Sequence, residues 1–91
     1  MQRSGAGQRR RWRSEARAAP EVRRAFKALG KRIRILRQER KLTLEEVAPV
    51  ARIDWKHLQI VEQGKTNTTV ASLVGIAKAL DVRLRDLFED V

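Results

Sequence analysis

The stretch ARIDWKHLQIVEQGK, residues 51–65, has the spacing of a short helix with an unusual outer face. That face carries Trp55, Lys56, Gln59 and Ile60, whereas a helix that meets only water usually shows Glu and Lys there. Lys and Gln can donate hydrogen bonds to a polar partner, and Trp and Ile add apolar contact area. The face therefore indicates a surface for binding rather than a solvated one.

Catalytic and metal-binding chemistry has little material in this chain. There is no Cys and a single His, His57, so the ligands of a zinc site and the parts of a His-based relay are missing. We see no nucleophile–base pair, no carboxylate pair in an apolar pocket and no Gly-rich phosphate loop. The sequence predicts a protein that is not an enzyme and that has no cofactor and no metal.

The net charge of +10 is concentrated in the N-terminal part of the chain. Residues 1–41 hold 15 Lys and Arg against 3 Asp and Glu, whereas residues 42–91 hold 6 against 8. Such a field favours a polyanion, with nucleic acid first and an acidic membrane or acidic protein second. The alternative is that the basic segment only keeps a small protein soluble.

No apolar run approaches the roughly 18 residues that span a bilayer, and no apolar segment follows the basic N-terminus. We therefore expect a cytoplasmic protein with no membrane partner, associated with the nucleoid if the polyanion is DNA.

The predicted fold class is all-α, because helical spacing recurs along the chain and no strand pattern is present. Residues 1–19 contain little that could form a core, so they are predicted to be a basic, flexible arm. A first helix is predicted to begin at Pro20, with one apolar stripe: Val22, Phe26, Leu29, Ile33 and Leu36. We interpret Gly30 as the point where an N-terminal extension joins the domain's own first helix.

The second and third helices are predicted from their capping residues. Thr43 and Glu46 have the spacing of a capping box, and Asp54 is placed to cap the third helix, which Gly64 should end. Pro49 should end the second helix early or kink it, because proline removes a hydrogen bond and clashes with the preceding turn.

Two further helices are predicted after a polar loop. Thr69 can cap a fourth helix with apolar side chains at helical spacing: Val70, Leu73, Val74, Ile76, Ala77 and Leu80. A short fifth helix should carry Leu84, Leu87 and Phe88. Aromatic residues are only 4% of the chain, so the core should be aliphatic.

The segments LGKRIRILRQERKLTLEEVA, IDWKHLQIVEQGKTN and LVGIAKALDVRLRDLF resemble the DNA-binding domain of the lambda-type phage repressors and Cro, the XRE-like family. The resemblance covers residues 27 to 89. It implies a compact five-helix domain over residues 20–91, with the basic arm or a helix extension before it. It also implies that helix 3, residues 54–63, enters the major groove of double-stranded DNA, usually as a homodimer on a palindromic operator.

The resemblance places base contacts on five residues of helix 3: Asp54, Trp55, Lys56, Gln59 and Ile60. Lys56 can donate to guanine O6 and N7, and Gln59 can pair with adenine N6 and N7. Ile60 and Trp55 can offer apolar contact, for instance to a thymine methyl group. The alternatives are that Trp55 folds back over the domain surface and that Ile60 packs against helix 2.

Contacts with the DNA phosphates are implied for a second set, which does not specify sequence. Lys65, Thr66 and Asn67 match the family's backbone-gripping loop, and Glu62 matches a position that pairs with an arginine of helix 1, here Arg37. The phosphate-contacting set is Thr43, Arg37, Arg52, His57, Gln63, Lys65, Thr66 and Asn67.

Several positions depart from the family pattern. Leu44 stands where a Gln often supports helix 3, and Pro49 interrupts helix 2. Arg52 occupies a turn position where Gly normally takes a left-handed conformation. Asp81 and Arg83 replace the Gly and the Ser or Thr between helices 4 and 5. These departures predict a shortened helix 2 and an altered turn before helix 3.

The arm and the last helix are assigned to partners. Arg9, Arg10, Arg11 and Arg13 are predicted to lie along DNA, near the site of helix 3. The alternative is that residues 14–30 extend helix 1 and pack on a protein partner through Val22 and Phe26. The proposed dimer contacts share the last helix or follow it: Leu84, Leu87, Phe88 and Val91.

Three functions remain open at this point. The leading hypothesis is a dimeric, sequence-specific transcription regulator, of the phage-repressor type or resembling the controller proteins of restriction–modification systems. The second is an antitoxin-like or bridging module whose N-terminal arm binds a protein. The third is compaction of nucleic acid without sequence preference.

Overall fold

The computed structural model describes residues 19–91, which form four α-helices and one short 3₁₀ helix. The α-helices are α1 (Pro20–Glu39), α2 (Leu44–Ala51), α3 (Trp55–Glu62) and α4 (Val70–Ala79), and the 3₁₀ helix is Leu84–Phe88. Within residues 19–91 there is no strand, and none of these helices is long and apolar enough to cross a membrane. The predicted contacts of Arg9, Arg10, Arg11 and Arg13 lie outside the described residues.

The prediction of a fifth helix is corrected, because Leu84–Phe88 forms a five-residue 3₁₀ helix and not an α-helix. Its apolar residues Leu84 and Leu87 are three positions apart, which suits three residues per turn. The segment begins without a side-chain cap from Arg83, although the Arg83 N–H donates to Asp86 Oδ2 at 2.9 Å. Residues 19–91 therefore contain four α-helices and one 3₁₀ helix, where five helices were expected.

Helix α1 forms for the reasons given by its sequence. Proline and an acidic residue occupy its first turn, and Leu29, Ile33 and Leu36 are buried while Val22 and Phe26 are partly buried. The helix continues through Gly30 without a break.

The role of Gly30 is therefore different from the predicted junction. A Cβ atom at this position would lie 2.3 Å from the Val61 carbonyl oxygen and 2.6 Å from that of Glu62. Those distances are far inside van der Waals contact, so Gly30 lets α1 approach the backbone of α3.

Helix α2 has the predicted capping box. The Glu46 N–H donates to Thr43 Oγ1 at 3.1 Å, and the Thr43 N–H donates to Glu46 Oε1 at 2.8 Å. Of the two predicted effects of Pro49, an early end or a kink, the early end is wrong, because α2 continues to Ala51. Pro49 lies in the last turn and is exposed, so it removes a hydrogen bond only near the end of the helix.

The turn between α2 and α3 is held by a left-handed residue, as predicted. Arg52 has φ 61° and ψ 41°, and its N–H donates to the carbonyls of Ala48 and Pro49. The Ile53 N–H also donates to Ala48 O, at 3.0 Å. Asp54 occupies the N-cap position of α3, but its side chain makes no capping hydrogen bond, which corrects the predicted role of that side chain.

Helix α4 is capped by Thr69, whose Oγ1 accepts from the Ser72 N–H at 3.0 Å. Leu73, Ile76, Ala77 and Leu80 are buried. Val70 and Val74 are exposed, so two of the six apolar residues at helical spacing face outside. They lie four residues apart and share a face of α4 that the other described helices leave uncovered.

The core lies where the helices meet. Helix α2 contacts α3 and α4, α1 contacts α3 and the 3₁₀ helix, and the 3₁₀ helix contacts α4. The buried hydrophobic side chains are aliphatic, as predicted, and the largest fully buried ones are Ile33, Leu58, Ile76, Leu80, Leu87 and Val47. Arg32 attaches the 3₁₀ segment to α1, because its Nε donates to Asp86 O at 2.9 Å and its guanidinium pairs with Glu89.

Candidate nucleic-acid interface

Helix α3 presents one continuous outer face. Leu58 and Val61 are buried against the rest of the domain, whereas Lys56 and Gln59 are exposed. Trp55 is 38% exposed and Ile60 is 40% exposed. Neither apolar side chain is therefore buried within the domain, which leaves both available to a partner.

The ammonium group of Lys56 lies next to the ring of Trp55. Lys56 Nζ lies 5.9 Å from the centroid of the Trp55 ring, within the range of a cation–π contact. The pair forms the first turn of α3, next to the exposed carboxylate of Asp54. Because that carboxylate is not used for capping, it is free to accept a hydrogen bond from a ligand.

The predicted pair between Arg37 of α1 and Glu62 of α3 is present and well formed. Arg37 Nε donates to Glu62 Oε2 at 2.7 Å, and Nη2 donates to Oε1 at 3.0 Å. The Nη1 atom donates to the Leu42 carbonyl at 2.8 Å. The arginine side chain is 13% exposed and the glutamate side chain 5% exposed, so the pair is largely removed from water.

The ion pair with Glu62 stabilises the charged form of Arg37. Hydrogen bonding to Glu62 raises the pKa of Arg37 above its ordinary value, against the opposing effect of burial. The guanidinium therefore stays charged at every pH at which the protein would be studied. All three of its nitrogens donate within the domain, so its main role in the structure is to hold α3 against α1.

Two glycines extend this contact and were missed as positioning residues in the sequence. Gly30 brings the backbone of α1 against the carbonyls of Val61 and Glu62. Gly64, at φ 70°, ends α3 so that a Cβ there would lie 2.6 Å from Lys27 Cα. A glycine within an otherwise regular helix was the available signal for the first of them, and it was assigned to a domain junction instead.

The predicted phosphate-contacting residues surround α3 at its two ends. Thr43 begins α2, and Arg52 lies exposed in the turn before α3. His57 is half-buried on α3, and Gln63 is exposed at its end. No group of three potential metal ligands lies within residues 19–91, which leaves His57 without partners for a metal site.

The loop after α3 has a defined shape. Lys65 and Asn67 are exposed, and Thr66 is half-buried. The Thr68 N–H donates to Asn67 Oδ1 at 2.8 Å, and Thr66 Oγ1 donates to the Asn67 carbonyl at 3.2 Å. The asparagine oxygen is thus engaged by the loop, whereas the ammonium group of Lys65 faces outside.

The residues predicted to form a dimer contact do not share one environment. Leu87 is fully buried in the core, so it cannot also contact a second chain, and this assignment is corrected. Leu84 is partly buried against the core. Phe88 and Val91 are 43% and 48% exposed and line an apolar groove of about 200 Å³ together with Phe26.

This groove also contains a polar atom without a partner. Thr68 Oγ1 lies buried at its wall and makes no hydrogen bond among the described residues. A buried hydroxyl normally has a partner, because leaving it unpaired costs roughly 1–3 kcal/mol. The groove therefore combines an apolar lining with one unsatisfied hydrogen-bonding group.

Comparison with known proteins places the chain in a helix-turn-helix family. Residues 33–87 match the family model HTH_3, described as helix-turn-helix. The chain is 38% identical over 63 residues to the HTH-type transcriptional regulator DdrOP3 of Deinococcus deserti. That match covers 69% of this chain and 49% of the relative, so the chain spans about half the length of that relative.

Two solved structures are similar over most of the domain. One is the restriction-modification controller protein C.AhdI of Aeromonas hydrophila, with a TM-score of 0.68 and 32% identity, over 69% of this chain and 96% of the controller. The other is the clp gene regulator ClgR of Corynebacterium glutamicum, with a TM-score of 0.70 and 26% identity, over 72% of this chain and 70% of ClgR.

Proposed function

We propose, from the premise that this chain belongs to the helix-turn-helix family HTH_3, the XRE family, that it is a DNA-binding transcription regulator. The observation that carries the proposal is the outer face of α3, whose polar and apolar side chains are exposed while Arg37, Glu62 and Gly30 hold the helix in place. The relatives are named as regulators or as a controller protein, which confirms the expectation that this protein is not an enzyme.

In this proposal α3 lies in the major groove and contacts base edges. Lys56 donates to guanine O6 and N7, and Gln59 forms two hydrogen bonds with adenine. Trp55 and Ile60 pack on thymine methyl groups, a role that their exposure permits. Asp54 accepts from a cytosine amino group, since its carboxylate is not used in capping.

Phosphate contacts would position the domain on both sides of α3. The N-terminus of α2 at Thr43 offers free N–H groups to a phosphate, and Lys65 offers a charge from the loop. Arg52, His57 and Gln63 add contacts around α3, together with Thr66 and Asn67 in the loop. Arg37 orients α3 through three hydrogen bonds to Glu62 and the Leu42 carbonyl, which leaves two of its five N–H groups for a phosphate.

We further propose that two chains bind a palindromic operator as a homodimer. The contact would use Phe88 and Val91, which are exposed, and the groove that they line. Leu84 is partly buried against the core, so its remaining exposed surface is what it could add to this contact.

The DNA proposal is tested by selecting bound duplexes from a random pool and measuring affinity by fluorescence anisotropy. We expect a two-fold sequence, with Lys56→Ala and Gln59→Ala each losing about 1–3 kcal/mol of discrimination at one position of each half-site. Lys78→Ala is the matched control, because it also removes an exposed lysine but lies on α4. Equal affinity for selected and scrambled duplexes would show binding without sequence preference and would refute the proposal.

The dimer proposal has its own measurement. Sedimentation equilibrium should show that Phe88→Ser weakens self-association, whereas Val74→Ser, which changes an exposed apolar residue on α4, leaves it unchanged. A monomer at tens of micromolar in the unchanged protein, or an equal effect of both substitutions, would remove Phe88 from the contact.

A further inference from the structure

Helix α1 carries three cations along one edge, Lys27, Lys31 and Arg34, which we call the α1 basic edge. Their spacing of four and three residues places them on one side of the helix. All three are exposed, and their side chains make no hydrogen bond or ion pair among the described residues. From residue 22 to residue 38 the helix contains no acidic residue, so none of the three cations has an oppositely charged residue three or four positions away.

The contacts of α1 show which side of the domain this edge occupies. Gly30 faces the backbone carbonyls of α3, and Arg37, seven residues later, pairs with Glu62 on the same helix. Viewed along the axis of α1, with about 100° of rotation per residue, the side chains of Lys27 and Arg34 project roughly 60° and 40° from the direction of Gly30. Both lie on the opposite side of that direction from the buried Ile33. The edge therefore borders α3 and faces outside.

One end of the edge also adjoins the loop after α3. A Cβ atom on Gly64 would lie only 2.6 Å from the Cα atom of Lys27, so the backbones at these two residues are in contact. Lys65, which follows Gly64 in the chain, is exposed. The edge thus continues the positive surface of the loop along α1.

We propose that the α1 basic edge binds phosphates of the DNA duplex that α3 enters, and so extends the interface beyond the helix-turn-helix. This inference rests on the proposed function and deepens it, because it adds contacts that raise affinity without specifying sequence. Three unpaired cations next to the base-contacting helix complement a polyanion that passes beside it. A membrane surface fits less well, because the apolar face of α1 is buried in the core and cannot insert among lipids.

The test is the salt dependence of DNA binding by the full chain. In the triple variant Lys27→Gln, Lys31→Gln and Arg34→Gln, loss of three phosphate contacts should reduce the slope of log K against log[salt] by about 2.7. The advantage of the unchanged protein over the variant should then shrink by about 40-fold between roughly 50 and 200 mM salt. Glutamine is a good helix former, and circular dichroism checks that the variant folds.

The matched control removes the same charge elsewhere. The variant Lys78→Gln, Arg83→Gln and Arg85→Gln also loses three exposed cations, from α4 and the 3₁₀ segment. We expect its slope to stay close to that of the unchanged protein. Equal slopes for the two triple variants would overturn the proposal, because total charge rather than the α1 basic edge would then determine binding.

Two duplexes and a vesicle distinguish the remaining outcomes. The edge variant should lose the same factor on the selected and the scrambled duplex, which leaves the preference between them unchanged. If the unchanged protein shows no preference, the proposed function fails, while the two slopes still test the edge on either duplex. Loss of binding to vesicles of phosphatidylserine and phosphatidylcholine, with unchanged DNA slopes, would assign the edge to a membrane and refute the DNA contact.

Discussion

The pair between Arg37 and Glu62 gives the most quantitative prediction from this structure. We consider Arg37→Met, Glu62→Leu and the double variant, which replace the ion pair by apolar side chains of similar size. The carboxylate is 5% exposed and the guanidinium 13% exposed, so each substitution leaves a partner that is poorly solvated. Removing one member of a buried pair costs about 3–5 kcal/mol, mostly through the charge that is left behind.

The two single variants should not be equal. After Glu62→Leu, Arg37 keeps its bond to the Leu42 carbonyl and can extend its long side chain to water, so we expect a loss of about 2–3 kcal/mol. After Arg37→Met, the glutamate is buried without its partner and the Leu42 carbonyl loses a donor, so we expect about 3–5 kcal/mol.

The double variant should recover much of this loss, since no unpaired charge remains. We expect it to lie about 1–2 kcal/mol below the unchanged protein, compared with roughly 5–8 kcal/mol if the single effects added. Urea unfolding followed by circular dichroism measures the four free energies of unfolding under one condition. Additive effects, or a larger loss in Glu62→Leu than in Arg37→Met, would refute the reasoning.

DNA binding then separates stability from positioning. The double variant should be folded yet bind the selected duplex on the order of tenfold more weakly, about 1.4 kcal/mol, because α3 has lost its polar attachment to α1. Unchanged affinity in that variant would show that the hydrophobic contacts of α3 are sufficient to orient it.

Four other substitutions test separate parts of the domain. Gly30→Ala should lower the free energy of unfolding in urea by about 1–3 kcal/mol, because the added methyl group overpacks the contact with α3. Replacing glycine by alanine inside a helix normally adds about 1 kcal/mol of stability, so a gain in stability would contradict this close contact. Arg52→Gly should raise the thermal midpoint, by relief of about 0.5–1 kcal/mol at φ 61°, and should weaken DNA binding; increased affinity would argue against a phosphate contact. In a Trp12→Phe background the emission of Trp55 should change when the selected duplex is added, and an unchanged spectrum would place its ring outside the interface. Leu87→Ala should lose about 2–5 kcal/mol in urea unfolding, whereas a stable variant with weakened self-association would return this residue to the dimer contact.

Features that depend on neighbouring residues in the sequence were predicted well. The capping box at Thr43 and Glu46 and the cap at Thr69 follow from side chains that can reach backbone N–H groups within one turn. Two other features came from the family resemblance rather than from neighbouring residues: the left-handed turn at Arg52 and the pair of Arg37 with Glu62, which joins two helices, and both are present. In each case a single geometric requirement determines the outcome.

Features that depend on the packing of distant segments were predicted less well. Asp54 has the right residue type for a cap, but its side chain is not used, and Val70 and Val74 have apolar side chains at helical spacing yet face outside. The sequence shows which side chains could be buried and does not show how much of a helix its neighbours cover. Leu87 illustrates the same limit, because excluding it from a dimer contact required knowing that the 3₁₀ segment already packs on α1 and α4.

The length of α3 explains why its supports have so large a role. The helix has eight residues, and only Leu58 and Val61 anchor it through apolar contacts in the core. A helix this short is unstable alone, so its direction must come from the elements around it. Because α1 supplies both the close approach at Gly30 and the charge at Arg37, the proposed DNA contact of α3 should change when α1 is substituted at residues that do not touch DNA. The α1 basic edge lies on that same helix, so the segment that orients α3 is also the one proposed to extend its contact with the duplex.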